Sequence, residues 1–322
     1  MAQAIWPNFF IVGAASSGTT SLFTYLKQHP EVFLPALKEP HYFAQLRPSY
    51  EQRYLFTYVS TESDYLALFA KAGGYQAIGE ASPSYLWCPD APARIARAVP
   101  AARIIILLRD PVERAYSHYL MNLREGLQRR PFFEALQEDW RRPRKGWGVS
   151  QLYVELGLYA EQVKRYLATF GPEQVRIVLF DEMRRGSEHR KATLAGVLEF
   201  IGADAGYIDR IDMSYAENSF GVARWPWAQR LAGSNWARRA GQILVPRRIG
   251  ANHAIKRLIF QRFFVKSVPR PKIDPDARQW LCEIFEPDLR ALEALLGREL
   301  PALRRSWTPR EPHIAPRQNL AV

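Results

Sequence analysis

The segment Phe9-Phe10-Ile11-Val12-Gly13-Ala14-Ala15-Ser16-Ser17-Gly18-Thr19-Thr20-Ser21-Leu22 constrains this chain more than any other. Four apolar residues in a row suit a strand covered on both faces. Gly13 and Gly18 bracket four small residues, so the backbone can curl tightly between them. Thr19, Thr20 and Ser21 then open a helix whose first amides have no partner within the helix. A strand, a tight loop and a helix start in this order bind an anion, usually a phosphate, through aligned amides and the positive helix end. The plain alternative is a strand-to-helix turn with no ligand, because short glycine motifs recur by accident.

The loop is one residue away from a Walker A motif. Gly13 and Gly18 keep the spacing of G-x-x-x-x-G-K-[ST], but Thr19 stands where the lysine belongs. Enzymes of that type use the lysine on the transferring phosphate, so ordinary ATP or GTP hydrolysis is not expected here.

A second anion site is written in Ile104-Ile105-Ile106-Leu107-Leu108-Arg109-Asp110-Pro111-Val112-Glu113-Arg114-Ala115-Tyr116-Ser117. The apolar run predicts a strand over 103–108 that delivers Arg109 to its carboxyl end, where ligands bind in open α/β sheets. Asp110 at N-cap, Pro111 at the first helical position and Glu113 at the third form a coherent helix start, which ranks ahead of a magnesium-ligand role for Asp110. A guanidinium at the mouth of a buried strand calls for an anionic partner, and its fork suits a phosphate. Ser117 on the same helix can add a hydroxyl. Two anion sites on neighbouring strands suggest one ligand with separated phosphate-like groups, such as an adenosine charged at both 5′ and 3′ positions.

Strand patterns at 9–12, 32–34, 77–79, 103–108 and 175–180 alternate with helical patterns at 20–29, 62–72, 90–98, 111–124, 152–170 and 191–201. This alternation predicts an α/β fold with a mostly parallel sheet flanked by helices. A variable, Arg- and Pro-rich stretch runs from about 127 to 149. Leu281, Ile284, Phe285, Leu289, Leu292 and Leu296 form one helical stripe, and Gly297 is its stop.

With 322 residues and 48% hydrophobic content, the chain is expected to form a single domain over 1–322. Its net charge of +12 sits in one segment: 221–272 holds nine Arg and three Lys without Asp or Glu, leaving 32 basic against 32 acidic residues elsewhere. That segment also holds Trp225, Trp227, Trp236, Phe260, Phe263 and Phe264, and reads as a basic helical insertion. It suits contact with a nucleotide, an acidic glycan or a lipid headgroup, or serves as a solvated basic face. Within it, Ile255, Leu258, Ile259 and Phe263 lie beside Lys256, Arg257 and Arg262, a pattern compatible with peripheral membrane contact. No run of about 18 apolar residues exists to span a membrane. Two cysteines, Cys88 and Cys282, give no disulfide framework. With no basic leader ahead of the first apolar run, the expected location is cytoplasmic.

Taken with both anion sites, three further segments make the chain resemble the sulfotransferases that use 3′-phosphoadenosine 5′-phosphosulfate (PAPS). Lys38-Glu39-Pro40-His41-Tyr42-Phe43 resembles the K-E-x-H-F-F segment of glycan-type and bacterial members. Gly79-Glu80-Ala81-Ser82-Pro83-Ser84-Tyr85 is similar to their G-E-x-[ST]-P-x-Y stretch. Pro271 to Trp307 resembles their closing P-x-x-D-P helix and terminal Trp. The resemblance implies a P-loop NTPase-like three-layer fold. It implies that Ala15, Ser16, Ser17, Gly18, Thr19, Thr20 and Ser21 hold the 5′-phosphosulfate, and that Arg109 and Ser117 hold the 3′-phosphate. Glu39 becomes the general base, with His41 orienting the acceptor or acting as a second base. In an extended loop, residues 39 and 41 would point to the same side.

Two positions depart from the family pattern. Ser16 stands where members carry a basic residue, mostly Lys, that neutralises charge on the bridging oxygen; loss of such help costs about 10²–10³ in rate. Three readings stay open: Lys38 or a basic residue from 221–272 reaches in, the enzyme is slow, or the protein binds nucleotide without turnover. Ala81 stands where glycan-modifying members often have Lys, which argues against a heparan-like acceptor. The resemblance implies transfer of SO₃ from PAPS to a hydroxyl or amine, plausibly of a glycan or glycolipid, leaving adenosine 3′,5′-bisphosphate. No metal and no nucleic-acid partner are expected. The competing classes are a P-loop kinase and a non-catalytic nucleotide-binding or membrane-surface protein.

Overall fold

The computed structural model of the chain describes residues 4–46, 58–214, 221–223, 265–267 and 270–307. Among these residues a five-stranded parallel sheet runs in the order β2-β3-β1-β4-β5, with β1 Phe9–Gly13, β2 Val32–Phe33, β3 Ala77–Ala81, β4 Arg103–Leu108 and β5 Val175–Leu179. The helices are α1 (Thr19–Leu26), α2 (Glu62–Ala67), α3 (Ser84–Trp87), α4 (Ala91–Ala98), α5 (Pro111–Arg124), α6 (Phe132–Trp140), α7 (Tyr159–Phe170), α8 (Ser187–Ile201) and α9 (Pro275–Leu296). The three-layer α/β architecture expected from the sequence is the observed one.

Strand alternation divides the apolar residues between two faces. Phe10, Val12, Ile104, Ile106 and Leu108 point into the layer built from α2, α3, α4 and α7 and the second half of α9. Phe9, Ile11, Ile105 and Leu107 point into the layer of α1 and α8. Ile104 to Leu108 have no exposed surface at all, which explains why this run reads as continuously apolar. Burial of each such side chain contributes about 1.5–3 kcal/mol. A third cluster joins α5 and α6 to the first half of α9 through Val112, Leu136, Leu281 and Phe285.

The chain leaves β1 for β2 and β3 on one side and returns to β4 on the other. The carboxyl ends of β3, β1 and β4 therefore meet around one crevice, the usual ligand position in open parallel sheets.

Several expected boundaries shift. The helix expected over 62–72 ends at Ala67, and Phe69, Ala70 and Ala72 close the turns with i→i−3 bonds. The helix expected from 152 starts only at Tyr159, because Leu152 is left-handed (φ 54°) and Glu155–Gly157 is a 3₁₀ turn. The Asp139 carboxylate holds that approach by accepting from the amides of Gln151 (2.7 Å) and Tyr153 (3.1 Å). The Arg- and Pro-rich stretch contains α6. Of the basic segment 221–272, Gly221–Ala223 and Val265–Ser267 pair as an antiparallel two-stranded ribbon, β6 and β7, and 224–264 lies outside the described residues. The proposed membrane-facing stretch 254–265 falls there too, apart from the backbone of Val265.

Candidate active site

The loop after β1 is shaped by Gly18. Its backbone is left-handed (φ 91°), and a Cβ there would meet the Phe180 ring at 2.7 Å. Glycine is required on both counts. Gly18 is also the N-cap of α1, and no side chain caps that helix. By contrast α5, which leaves β4, has its first amides bound by Asp110. Amides left at a helix start beside a tight loop are a site for an anion. Ala15, Ser16, Thr20 and Ser21 are half-buried along this loop, while Thr19 is buried. Ser17 is turned inwards: its amide donates to the Ala14 carbonyl (3.3 Å) and its hydroxyl lies against the Tyr159 hydroxyl.

Arg109 stands at the carboxyl end of β4 and is 8% exposed. Its Nη1 donates to the Ser16 carbonyl at 3.0 Å, its Nη2 lies 3.5 Å from Glu113 Oε2, and its guanidinium sits 4.6 Å over the Phe180 ring. Arg270 pairs with the same Glu113 oxygen at 2.6 Å and covers the Tyr116 ring. Burial first, then the Arg270 charge, pulls the Arg109 pKa down to about 10, so it stays a cation at neutral pH. Two arginines thus crowd one carboxylate, and a further anion would relieve them. Ser117 lies one turn beyond Glu113, on the same helical face.

Asp110 is committed elsewhere. Its carboxylate accepts from the amides of Val112 (3.0 Å), Glu113 (3.3 Å) and Ser306 (2.8 Å) and from Trp307 Nε1 (3.3 Å). It is a helix cap that also ties down the terminal tryptophan.

The segment 38–43 crosses the carboxyl end of β3. The Glu39 amide donates to the Ala81 carbonyl at 3.0 Å, which anchors it one strand away from the loop after β1. Glu39 is ion-paired with Lys38, and its Oε2 lies 3.7 Å from His41 Nε2. The loop is not extended as expected: Glu39 (φ 65°) and His41 (φ 55°) are both left-handed. The two side chains nonetheless meet. His41 is 2% exposed, and burial, opposed by the Glu39 charge, pulls its pKa down to about 4. Its Nδ1 lies 2.7 Å from Ser84 Oγ. The two ring nitrogens thus have separate neighbours, Ser84 at Nδ1 and Glu39 at Nε2. The Trp147 ring lies 5.7 Å from the imidazole. Ala81 faces the apolar layer of Ile11 and Leu22, so a lysine would not be accommodated there without repacking.

Sequence reasoning named Glu39, His41 and Arg109, left open whether Arg270 contacts the nucleotide, and gave no role to Trp147 or Glu80. Arg270 reaches the Arg109 site from 157 positions away from Glu113. Trp147 belongs to the variable Arg- and Pro-rich stretch. Glu80 is wholly buried beneath the 39–43 loop, and the signal for it was present: a lone acid inside the buried strand Ala77-Ile78-Gly79-Glu80-Ala81. Among the described residues no group of His, Cys, Asp and Glu converges as a metal site would need, and no helix is long and apolar enough to cross a membrane.

Known proteins share this fold. A model described as the sulfotransferase family matches residues 7–206. The crystal structure of a sulfotransferase from Alicyclobacillus acidocaldarius is 32% identical, covers 94% of this chain and all of its own, and superposes with a TM-score of 0.69. Carbohydrate sulfotransferase 15 of Mus musculus is 29% identical over 255 residues, covering 61% of this chain and 43% of its own. Human heparan sulfate glucosamine 3-O-sulfotransferase 3B1 is 27% identical over 198 residues, covering 61% of this chain and 46% of its own. The chain thus spans less than half the length of these two curated relatives.

Proposed function

The chain belongs to the sulfotransferase family, and from that membership we propose that it transfers a sulfuryl group from PAPS to a hydroxyl or amine, in a glycan or glycolipid acceptor. The observation that carries this reading is the hydrogen bond from Arg109 to the Ser16 carbonyl. It joins the loop suited to a 5′-phosphosulfate to the arginine suited to a 3′-phosphate, so one bisphosphorylated nucleotide can bridge both. The uncapped start of α1 supports the first half, and the Arg109, Arg270 and Ser117 face supports the second.

In the proposed reaction Glu39 takes the acceptor proton, with its carboxylate steadied by Lys38 and by the neutral His41. A bond forms between the acceptor oxygen or nitrogen and sulfur. The bond from sulfur to the bridging oxygen breaks, and its electron pair leaves with adenosine 3′,5′-bisphosphate. Positioning and fixed hydrogen-bond donors supply the catalysis. The names of the carbohydrate and heparan sulfate relatives support a glycan acceptor.

The test is binding followed by turnover. Calorimetry should show adenosine 3′,5′-bisphosphate binding without magnesium and more tightly than ATP, and labelled sulfate should pass from PAPS to a glycan panel. Magnesium-dependent preference for ATP would point to a kinase. Tight bisphosphate binding without any transfer would point to a nucleotide-binding protein, the reading favoured by the uncharged Ser16.

A further inference from the structure

Glu80 is the largest unexplained polar feature near this site. Alternation along β3 sends it, with Ile78, into the apolar layer that holds Phe10, Phe43, Tyr65 and Tyr85. It has no exposed surface. A carboxylate in such a place is costly unless every lone pair is used. Here Oε1 accepts from the hydroxyls of Tyr65 (2.8 Å) and Tyr85 (2.7 Å), and Oε2 accepts from Ser82 (2.8 Å).

Each of those three groups continues to the base-bearing loop. Ser82 Oγ accepts from the His41 amide at 3.0 Å. Tyr85 Oη accepts from the Phe43 amide at 3.2 Å. The Tyr65 ring stacks on Tyr42 at 4.4 Å. Glu80 therefore touches one support of each of residues 41, 42 and 43. In this arrangement the carboxyl oxygens act only as acceptors. Glu80 fixes the hydroxyl protons of Ser82 and Tyr85 towards itself and leaves their lone pairs for the loop amides. The loop needs such support, because Glu39 and His41 hold left-handed backbones that non-glycine residues keep only when their surroundings impose them.

We infer that Glu80 is a positioning residue: through Ser82, Tyr85 and Tyr65 it holds the 39–43 loop in the one conformation that presents Glu39 to the acceptor. The inference rests on the proposed role of Glu39. Burial raises the Glu80 pKa to about 7, with the Glu39 charge adding to the rise and the three hydroxyl bonds opposing it. Tyr65, Tyr85 and Tyr166 are the other titratable groups around it.

The test compares Glu80→Gln with the milder Ser82→Ala and Tyr85→Phe in the full chain. Amide hydrogen exchange of a peptide covering 39–44 should speed up about tenfold in each variant, while peptides from α1 and β4 stay as protected as before. Affinity for adenosine 3′,5′-bisphosphate should hold within about twofold, and kcat should fall by about 10–10². The double variant Glu80→Gln with Ser82→Ala should be no slower than Glu80→Gln alone, since both cut the same chain of bonds. Unchanged exchange at 39–44 in folded variants would overturn the inference, as would nucleotide affinity falling in step with kcat. Exchange is read without turnover. A wild-type protein that transfers no sulfate therefore sinks the proposed function, while faster exchange in the variants still supports Glu80 as the support of the loop.

Discussion

Arg109 and Ser16 lie 93 positions apart, yet the guanidinium of one donates to the carbonyl of the other at 3.0 Å. In the proposed function the arginine thus has two duties: it faces the 3′-phosphate and it pins the loop proposed to hold the 5′-phosphosulfate. Arg109→Ala should weaken adenosine 3′,5′-bisphosphate binding by about 10²-fold, the scale of a charge-assisted bidentate contact. It should also weaken adenosine 5′-phosphosulfate, which has no 3′-phosphate, because the Ser16 loop loses its tether. Ser117→Ala should affect only the bisphosphate. Calorimetry with both nucleotides separates the two duties; an unchanged affinity of Arg109→Ala for adenosine 5′-phosphosulfate would argue against the tether.

Glu39 and His41 are predicted to separate binding from chemistry. Glu39→Gln keeps the shape of the side chain and removes the proton acceptor. Its kcat should fall by about 10²–10⁴-fold with nucleotide affinity unchanged. His41→Gln should have the smaller effect, because in the proposed reaction the neutral imidazole 3.7 Å from Glu39 only steadies the carboxylate that takes the proton. Survival of activity in Glu39→Gln would move the base to His41 or elsewhere.

Local codes carried most of the fold and named the candidate residues Glu39, His41 and Arg109. The continuous apolar runs of β1 and β4 announce strands buried on both faces, and Asp110-Pro111 followed by Glu113 announces the start of α5. What stayed illegible depends on distant partners. The helix of Leu152 to Phe170 starts seven residues late because Asp288, 129 positions on, caps the amide of Tyr159 at 2.6 Å. Left-handed Glu39 and His41 have no local cause; they answer to Ala81, Ser82 and Tyr85 beneath them. Arg270 joins the Arg109 site only because folding brings it to Glu113.

Ser16 offers a gain-of-function test. It already holds a left-handed backbone (φ 62°), so lysine brings little new strain there, and the carbonyl that Arg109 binds is unchanged by the substitution. Ser16→Lys should raise kcat, by about 10-fold or more, if charge on the leaving oxygen limits the rate. No gain, with bisphosphate affinity intact, would mean that another cation already serves that oxygen or that the protein does not turn over.

Buried histidines set the acid limb of stability. Burial pulls His41 to about 4 and His118 to about 3, the nearby Arg114 adding to the second shift. The unfolded chain binds both protons near pH 6.5, so it gains protons first and stability falls as pH drops below that value. Glu80, raised to about 7, has the opposite sign: its contribution is present below about 4.5 and lost as pH rises towards 7. Asp110 and Asp288, also raised by burial, act in the same sense as Glu80. His118→Phe removes one histidine contribution, worth about 1.4 kcal/mol per pH unit. Its melting temperature should therefore fall less than that of the wild type between pH 6.5 and 4.5; parallel melting curves would contradict the assignment.

Asp110 distinguishes a structural carboxylate from a metal ligand. Four donors converge on it, and two come from the closing segment at Ser306 and Trp307. Asp110→Ala should cost about 3 kcal/mol, combining a lost N-cap with buried donors left unpaired. Asp110→Asn should recover only part of this, because an amide NH₂ would face the Ser306 N–H or the helix amides. Trp307→Phe removes a single bond and should cost about 1 kcal/mol, and less than that in the Asp110→Ala background, where its acceptor is already gone. Magnesium supplies the opposing outcome. A metal held by Asp110 would raise the melting temperature of the wild type and not of Asp110→Asn, whereas a pure cap leaves both melting temperatures indifferent to the ion.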